Sequence, residues 1–251
     1  MNNGNLHKTL SYYLASQEEI QACDRKRMFQ ILEENYDFVN FRSFERDLLQ
    51  KNFVLLLKND QQIIQGFSTI AIDPGNVGTS KFSIIFSGDT IISPHYWGTQ
   101  ELVRGFGNVL GQLYAGLGGK KLYWFLISKG HRTYLYLPLF FKNYFPSPDY
   151  TDSNLESLVD SCSSRLFSNS WSRANGTIRF SSKKGQLKPQ LAEATWTRSK
   201  NRHVQYFLDR NPSFYEGTEL ACMAEIEPEN LLSRGRKFVL DGMKAPLKLA
   251  T

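Results

Sequence analysis

Residues 81–128 read KFSIIFSGDTIISPHYWGTQELVRGFGNVLGQLYAGLGGKKLYWFLIS, and the fold is decided there. Lys81 to Ser93 is rich in Ile and Phe and reads as a strand, with Gly88 where a β-bulge or a close backbone approach belongs. From Thr99 to Leu117 the apolar residues Leu102, Phe106, Leu110, Leu113 and Leu117 recur at steps of three or four, the spacing of an amphipathic helix. Gly105, Gly107, Gly111 and Gly116 inside it each cost roughly 1 kcal/mol against alanine, so they point to close packing. Gly118-Gly119 ends the helix, and KLYWFLIS is a compact apolar strand of the kind buried on both faces in a parallel pairing. Strand, helix and strand make one crossover unit.

Towards the N-terminus, FVLLLKNDQQIIQGFSTIAID (53–73) is a hairpin turning at Asn59-Asp60. Before it, a helix is expected over residues 17–39, capped by Ser16, and a short one over 43–50. Past the crossover unit, His131 to Tyr144 is aromatic and aliphatic, with Pro138 either kinking a helix or starting a second one. Beyond Pro148 the composition turns to Ser, Asn, Lys and Arg. Residues 149–197 read as an insertion or lid holding one helix, Asn154 to Phe167. Arg198 to Asp209 reads as a helix, TELACMAEI (218–226) as a buried strand, and the tail past Leu240 as loosely ordered.

The chain has 251 residues, 41% hydrophobic and 22% charged, enough to bury a sizeable core. Its longest apolar runs, such as Leu135 to Phe141, fall far below the roughly 18–20 residues that span a bilayer. The first residues, Met-Asn-Asn-Gly-Asn, lack the basic and apolar regions of a signal peptide, so a soluble protein of the cytoplasm is expected. Cys23, Cys162 and Cys222 are odd in number and widely spaced, which suggests buried thiols, with no metal site and no disulfide framework. The net charge of +6 is concentrated in Arg165 to Arg210, where ten Lys or Arg stand against Glu193 and Asp209.

The order of these elements, with ISPHYWGTQELVRGFGNVL (92–110) at its centre, resembles the GNAT superfamily of N-acyltransferases. The resemblance covers about residues 17–146 and the strand near Glu219. In the family's acyl-donor segment, Arg or Gln is followed by two residues, Gly, one residue, then Gly or Ala. His95-Tyr96-Trp97-Gly98-Thr99-Gln100 keeps the central glycine of that pattern. A second register, Leu102 to Gly107, has both glycines but lies inside the helix, and FKNYFP (141–146) resembles a family stretch that carries a glycine absent here. More narrowly, RNPSFYEGTELACMAEIEPENL (210–231) and RKRMFQILEENYDFVNF (25–41) resemble GNAT-like maturases that attach fatty acyl groups to Lys or ornithine of ribosomally made peptides.

The resemblance implies an α/β (α+β) fold: one domain built on a mixed, mostly antiparallel sheet flanked by helices, with a basic insertion in its C-terminal half. Residues 1–148 would bind the acyl donor, 149–197 form the insertion, 198–240 carry the last helix and strand, and 241–251 form the tail. It implies an acyl-CoA or acyl carrier protein thioester as co-substrate, no tightly bound cofactor, and an amine acceptor such as a precursor peptide.

Acyl transfer needs a polarised thioester carbonyl, a deprotonated amine and a proton for the leaving thiolate. Backbone N–H groups at Ile91 and Ile92 would polarise the carbonyl if the strand bulges there; an ordinary buried strand end is the competing reading. The turn His95, Tyr96, Trp97, Gly98 and Thr99 would hold the donor at the helix start, or simply cap the helix. His131 is the leading candidate base, with His95, Asp89 and Glu101 as alternatives. Tyr134 and Tyr136 occupy the stretch where the superfamily often carries the tyrosine that protonates the thiolate. A chain that is 14% aromatic also places many tyrosines in its core. Those aromatics would line a channel for a fatty chain, each buried methylene contributing about 0.8 kcal/mol. Lys129, Arg132 and the basic stretch would receive anionic groups of the donor or of a peptide leader. A catalytically silent module that binds an acyl carrier or peptide is the second reading. A nucleic-acid-binding protein using Trp171, Arg173, Arg179 and Trp196 is the third.

Overall fold

The computed structural model describes residues 9–181, 185–196 (the last three through their backbone) and 200–247. Eight strands form one sheet in the order β1 (Leu10–Ser16), β3 (Phe53–Asn59), β4 (Ile64–Ile72), β5 (Phe82–Ile92), β6 (Lys121–Ser128), β10 (Glu219–Glu225), β8 (Thr177–Ile178) and β7 (Trp171–Ser172). Every pairing is antiparallel except β5 with β6, the two strands of the crossover unit. A two-stranded ladder of β2 (Tyr36–Asp37) and β9 (Gln186–Leu187) stands apart from it. The fold is therefore mixed α/β on a mostly antiparallel sheet flanked by helices.

One face of the sheet is covered by α3 (Glu101–Gly116), the short helices α4 (His131–Tyr134) and α5 (Tyr136–Phe140), α8 (Arg202–Arg210) and α9 (Ser233–Met243), meeting Leu55, Leu57, Ile85 and Trp124. On the other face α1 (Ala22–Asn35) and α2 (Phe41–Leu48) cover Val54, Leu56 and Phe67, while α6 (Ser153–Phe167) covers Ile84, Phe86 and Phe125. Strand residues of opposite parity thus feed two cores, as period-two alternation requires. Helix α7 (Pro189–Trp196) has proline at its first position.

Several expectations are corrected. The chain enters the sheet through β1 before any helix. The helix expected over 17–39 is a short 3₁₀ turn, Gln17–Glu19, and then α1, because Ser16 and Glu19 close a capping box on the turn while Ile20 is buried in extended backbone. Helix α2 starts two residues early, its Asn40 Oδ1 accepting from Ser43 N at 3.1 Å. The helical break falls at Leu135, with Pro138 inside α5. Cys23 is exposed. Helix α6, in the stretch expected as an insertion or lid, is a core layer, because Leu155, Val159 and Cys162 pack on the sheet.

The tail expected to be loose past Leu240 holds the end of α9, and Leu247 N donates to Gln112 O at 3.1 Å. Helix α9 explains the glycines of α3: a Cβ added at Gly111 would overlap the Val239 carbonyl, and one at Gly242 would overlap that of Asn108. The helices meet backbone to backbone. Residues 1–8, 182–184, 197–199 and 248–251 lie outside the described residues, and with them the expected helix start at Arg198.

Candidate functional site

The site lies where β5 and β6 part. Their pairing runs from Phe82↔Lys121 to Ser87↔Leu126, and β5 then continues to Ile92 with β4 alone. Between Ser68↔Thr90 and Ile70↔Ser87, the single residue Thr69 faces both Gly88 and Asp89, which is a bulge. The bulge is at Gly88–Asp89, and the ladder is regular at Ile91 and Ile92, which pair with Phe67 and Gly66. An added Cβ at Gly88 would lie 2.6 Å from Thr69 Oγ1 and 3.1 Å from Lys51 Cε, so those side chains would have to shift to admit it.

The extra residue reverses the parity of β5. Before it, Ser87 faces α3 and accepts from Trp124 Nε1 at 2.8 Å; after it, Thr90 takes that side and Asp89 faces the opposite one. Two cavities open there on opposite faces of the sheet. The first, about 40 Å³, is narrow and apolar, walled by Phe106 and Leu110 of α3, Tyr136 and Phe140 of α5, and Phe238 of α9. The second, about 450 Å³, lies between the α1–α2 layer and α6 and is lined by Tyr36, Asp47, Lys51, Asp89, Lys129 and Glu219 among others. Thr90 and Thr133 line both, so the two cavities flank the point where the strands divide.

The larger cleft holds three carboxylates and two ammonium groups. Lys129 Nζ lies 3.2 Å from Glu219 and 5.4 Å from the Tyr36 ring centre, and Lys51 Nζ lies 3.0 Å from Asp47. Asp89 is the carboxylate in excess. Burial and then Asp47 raise its carboxyl above the ordinary aspartate value, against the pull of Lys129 and Lys51. Burial alone would lower the Lys129 ammonium, but Glu219, Tyr36 and Asp89 outweigh it and hold it above the ordinary lysine range. Burial pushes the Tyr36 phenol up to about 12. Such a cleft favours one further cation, and a carboxyl poised above its usual range is a suitable proton acceptor for it.

The sequence-derived candidates divide. Tyr136 lines the apolar cavity, its ring stacked on Phe140 and its phenol raised by burial. Tyr134 is fully buried, donates its hydroxyl to Pro146 O at 3.0 Å and packs on Tyr144, Tyr206 and Phe207, so it belongs to the core. His131, 2% exposed at the start of α4, lines neither cavity. Ile91 is buried under α1 and Ile92 packs towards α3.

His95, Tyr96, Trp97, Gly98 and Thr99 line neither cavity. His95 is exposed in a 3₁₀ turn, Pro94–Tyr96, and Gly98 has φ +90° with open space beside it. Trp97 donates to Ile92 O at 3.0 Å and carries Arg132 over its ring at 3.7 Å. Helix α3 begins at Glu101, two residues past the expected start, and Thr99 Oγ1 accepts the Glu101 amide at 3.3 Å. Tyr36, Asp47, Lys51 and Glu219 escaped sequence reasoning; the nearest signal was the bulge glycine beside Asp89.

The basic stretch meets acids of neighbouring elements: Arg173 with Asp160, Arg179 with Glu216 and Arg202 with Asp149, while Trp171 Nε1 donates to Asp160 at 2.9 Å. The side chain of Trp196 lies outside the described residues. Among the described residues, no helix is long and apolar enough to cross a membrane.

Neither a protein-family model nor a curated protein matches the chain. Among solved structures it is similar to the GNAT family N-acetyltransferase YhbS of Escherichia coli in complex with CoA, at 11% identity and a TM-score of 0.35, over 48% of this chain and 64% of that one. It is likewise similar to Escherichia coli ElaA, at 12% identity and a TM-score of 0.37, over 55% of this chain and 92% of that one. At such values the function has to be read from the site.

Proposed function

We propose that this protein is an N-acyltransferase that moves an acyl group from a thioester to an amine. The observation that carries this reading is at Thr90 and Thr133, which border both an apolar cavity on one face of the sheet and an acidic cleft on the other. An acyl chain and its thioester enter along α3, and the amine enters between the α1–α2 layer and α6. Asp89 takes the proton of the incoming ammonium, and the Lys129–Glu219 and Lys51–Asp47 pairs keep the rest of the cleft neutral. The nucleophile and the carbonyl then meet in the gap between β5 and β6, with proximity supplying much of the acceleration.

The apolar walls support a fatty acyl donor, carried by coenzyme A or an acyl carrier protein. The acidic cleft supports a Lys or ornithine side chain of a peptide as acceptor. Tyr136, whose ring lines the donor wall, returns a proton to the departing thiolate in this reading. A second reading, binding without transfer, is favoured by two observations: the donor turn keeps a single glycine of the family pattern, and Thr99 occupies an amide at the helix start.

One experiment separates the two. The protein is incubated with acyl-CoA thioesters from acetyl to palmitoyl, with and without lysine- and ornithine-containing peptides, while thiol release and native mass are followed. Amine-dependent thiol release that grows with chain length supports transfer. A retained thioester with no thiol release supports the silent module, and neither signal removes both readings.

A further inference from the structure

The apolar cavity contains three aliphatic hydroxyl residues, Ser68, Thr90 and Thr133, beside the Tyr136 phenol, among walls that are otherwise hydrophobic or glycine. Thr90 and Thr133 border both the cavity and the acidic cleft, which is where a thioester would react. Ser68 is 1% exposed, and its Oγ lies 2.8 Å from Thr90 Oγ1. The alternative acceptor for the Thr90 hydroxyl is Gly88 O at 3.4 Å, a long and weak contact. Thr90 can therefore accept from Ser68 and direct its own proton into the cavity.

This arrangement depends on the bulge. With regular alternation from Ser87 onward, residue 90 would face the α1 side, away from Ser68. The added residue at Gly88–Asp89 turns Thr90 towards Ser68 and towards the donor wall, in the same step that turns Asp89 into the acceptor cleft. Such hydroxyls in an apolar cavity are costly to bury without a partner and strong when they have one, because little water competes.

We infer that the Thr90 hydroxyl, oriented by Ser68, is the donor that stabilises the oxyanion formed from the thioester carbonyl. The inference rests on the acyl-transfer reading above. The amine lone pair forms the new N–C bond and the carbonyl π pair moves to oxygen, where the Thr90 hydroxyl donates to it. The pair then returns, the C–S bond breaks with its electrons going to sulfur, and the sulfur leaves as a thiol with the proton of Tyr136, which the second proton lost by the amine replaces. Thr90 touches the reacting oxygen; Ser68 is a positioning residue.

Thr90→Val keeps the shape and removes the donor, and it is expected to lower kcat about 10²-fold with little change in KM for the acyl thioester. Thr90→Ser restores the hydroxyl and is expected to recover most of the rate, while Ser68→Ala gives a smaller loss. An activity-independent readout is the infrared C=O stretch of a ¹³C-carbonyl acyl-CoA bound without amine. It should fall to lower frequency in the parent and return towards its solution position in Thr90→Val. A parent that neither binds nor turns over any thioester overturns the acyl-transfer reading, and this inference with it. A parent that turns over while Thr90→Val keeps its kcat and shows an unchanged band overturns the inference alone.

Discussion

Gly111→Ala places one methyl group in the contact between α3 and α9, and the two local effects oppose each other. Helix propensity favours alanine by about 1 kcal/mol. Against that, the added Cβ would overlap the Val239 carbonyl oxygen, sit 2.8 Å from its carbon and lie 2.9 Å from Met243 N. Ordinary contact begins at 3.4 Å, so the carbon alone is roughly 0.6 Å too close. All three atoms are backbone and cannot rotate away, and the reciprocal contact of Gly242 with Asn108 leaves no room to slide.

Overpacking of this kind costs roughly 3 kcal/mol, so the net loss is about 2 kcal/mol. For a chain of this size that lowers Tm by about 4–8 °C. Differential scanning calorimetry of parent and variant measures it. Gly107→Ala meets Phe238 Cβ at 2.8 Å and no backbone atom nearer than 3.8 Å, so it should lose less. If Gly111→Ala melts at or above the parent temperature, propensity has outweighed the overlap and the helices are not in backbone contact.

Asp89→Asn should cut kcat about 10²-fold or more while raising Tm. The carboxyl holds its proton more tightly folded than unfolded, so the folded state loses stability as pH rises from 3.8 through the raised value, a loss that asparagine removes. In the parent, the rate falls as pH drops through that same raised value; a pH profile whose acid limb lies at or below 3.8 contradicts the assignment. Tyr134→Phe takes the donor from the Pro146 carbonyl and should cost about 1 kcal/mol at unchanged kcat, whereas a large loss of rate at unchanged Tm would return the phenol to proton transfer. Lys129→Met leaves Glu219, 7% exposed in its side chain, without its partner and should cost about 3 kcal/mol by urea denaturation. Adding Glu219→Gln should recover most of that, and equal stability of the single and double variants would show that the pair is not coupled.

The local patterns were legible in the chain. Alternation and turn residues marked the hairpin of β3 and β4, with Asn59 Oδ1 accepting from Gln61 N and Ile63 N. The apolar steps of α3 and the run KLYWFLIS marked the crossover unit, and Gly88 marked the bulge. Strand β1 escaped because it is an edge strand whose side chains are mostly half-exposed, a weak signal for burial. Helix α9 escaped because its three buried positions include Gly235 and Gly242, which carry no apolar side chain to set a period. Tyr134 was singled out by its place in the chain, but its phenol is committed to a carbonyl inside the core.

By itself the sequence determined the hairpin, the crossover unit and the close approach that the α3 glycines permit, and it marked Gly88 as a place for the extra residue in β5, because each is written in neighbours a few residues apart. Only the tertiary structure decided what shares the cleft. Tyr36, Asp47, Lys51, Asp89, Lys129 and Glu219 come from five separate stretches of chain, and only the sheet order and the layers of helix bring them together. The direction each side chain takes across the sheet is equally a tertiary matter: one residue looped out at Gly88–Asp89 sends Asp89 to one face and Thr90 to the other, because side chains on a strand alternate with a period of two.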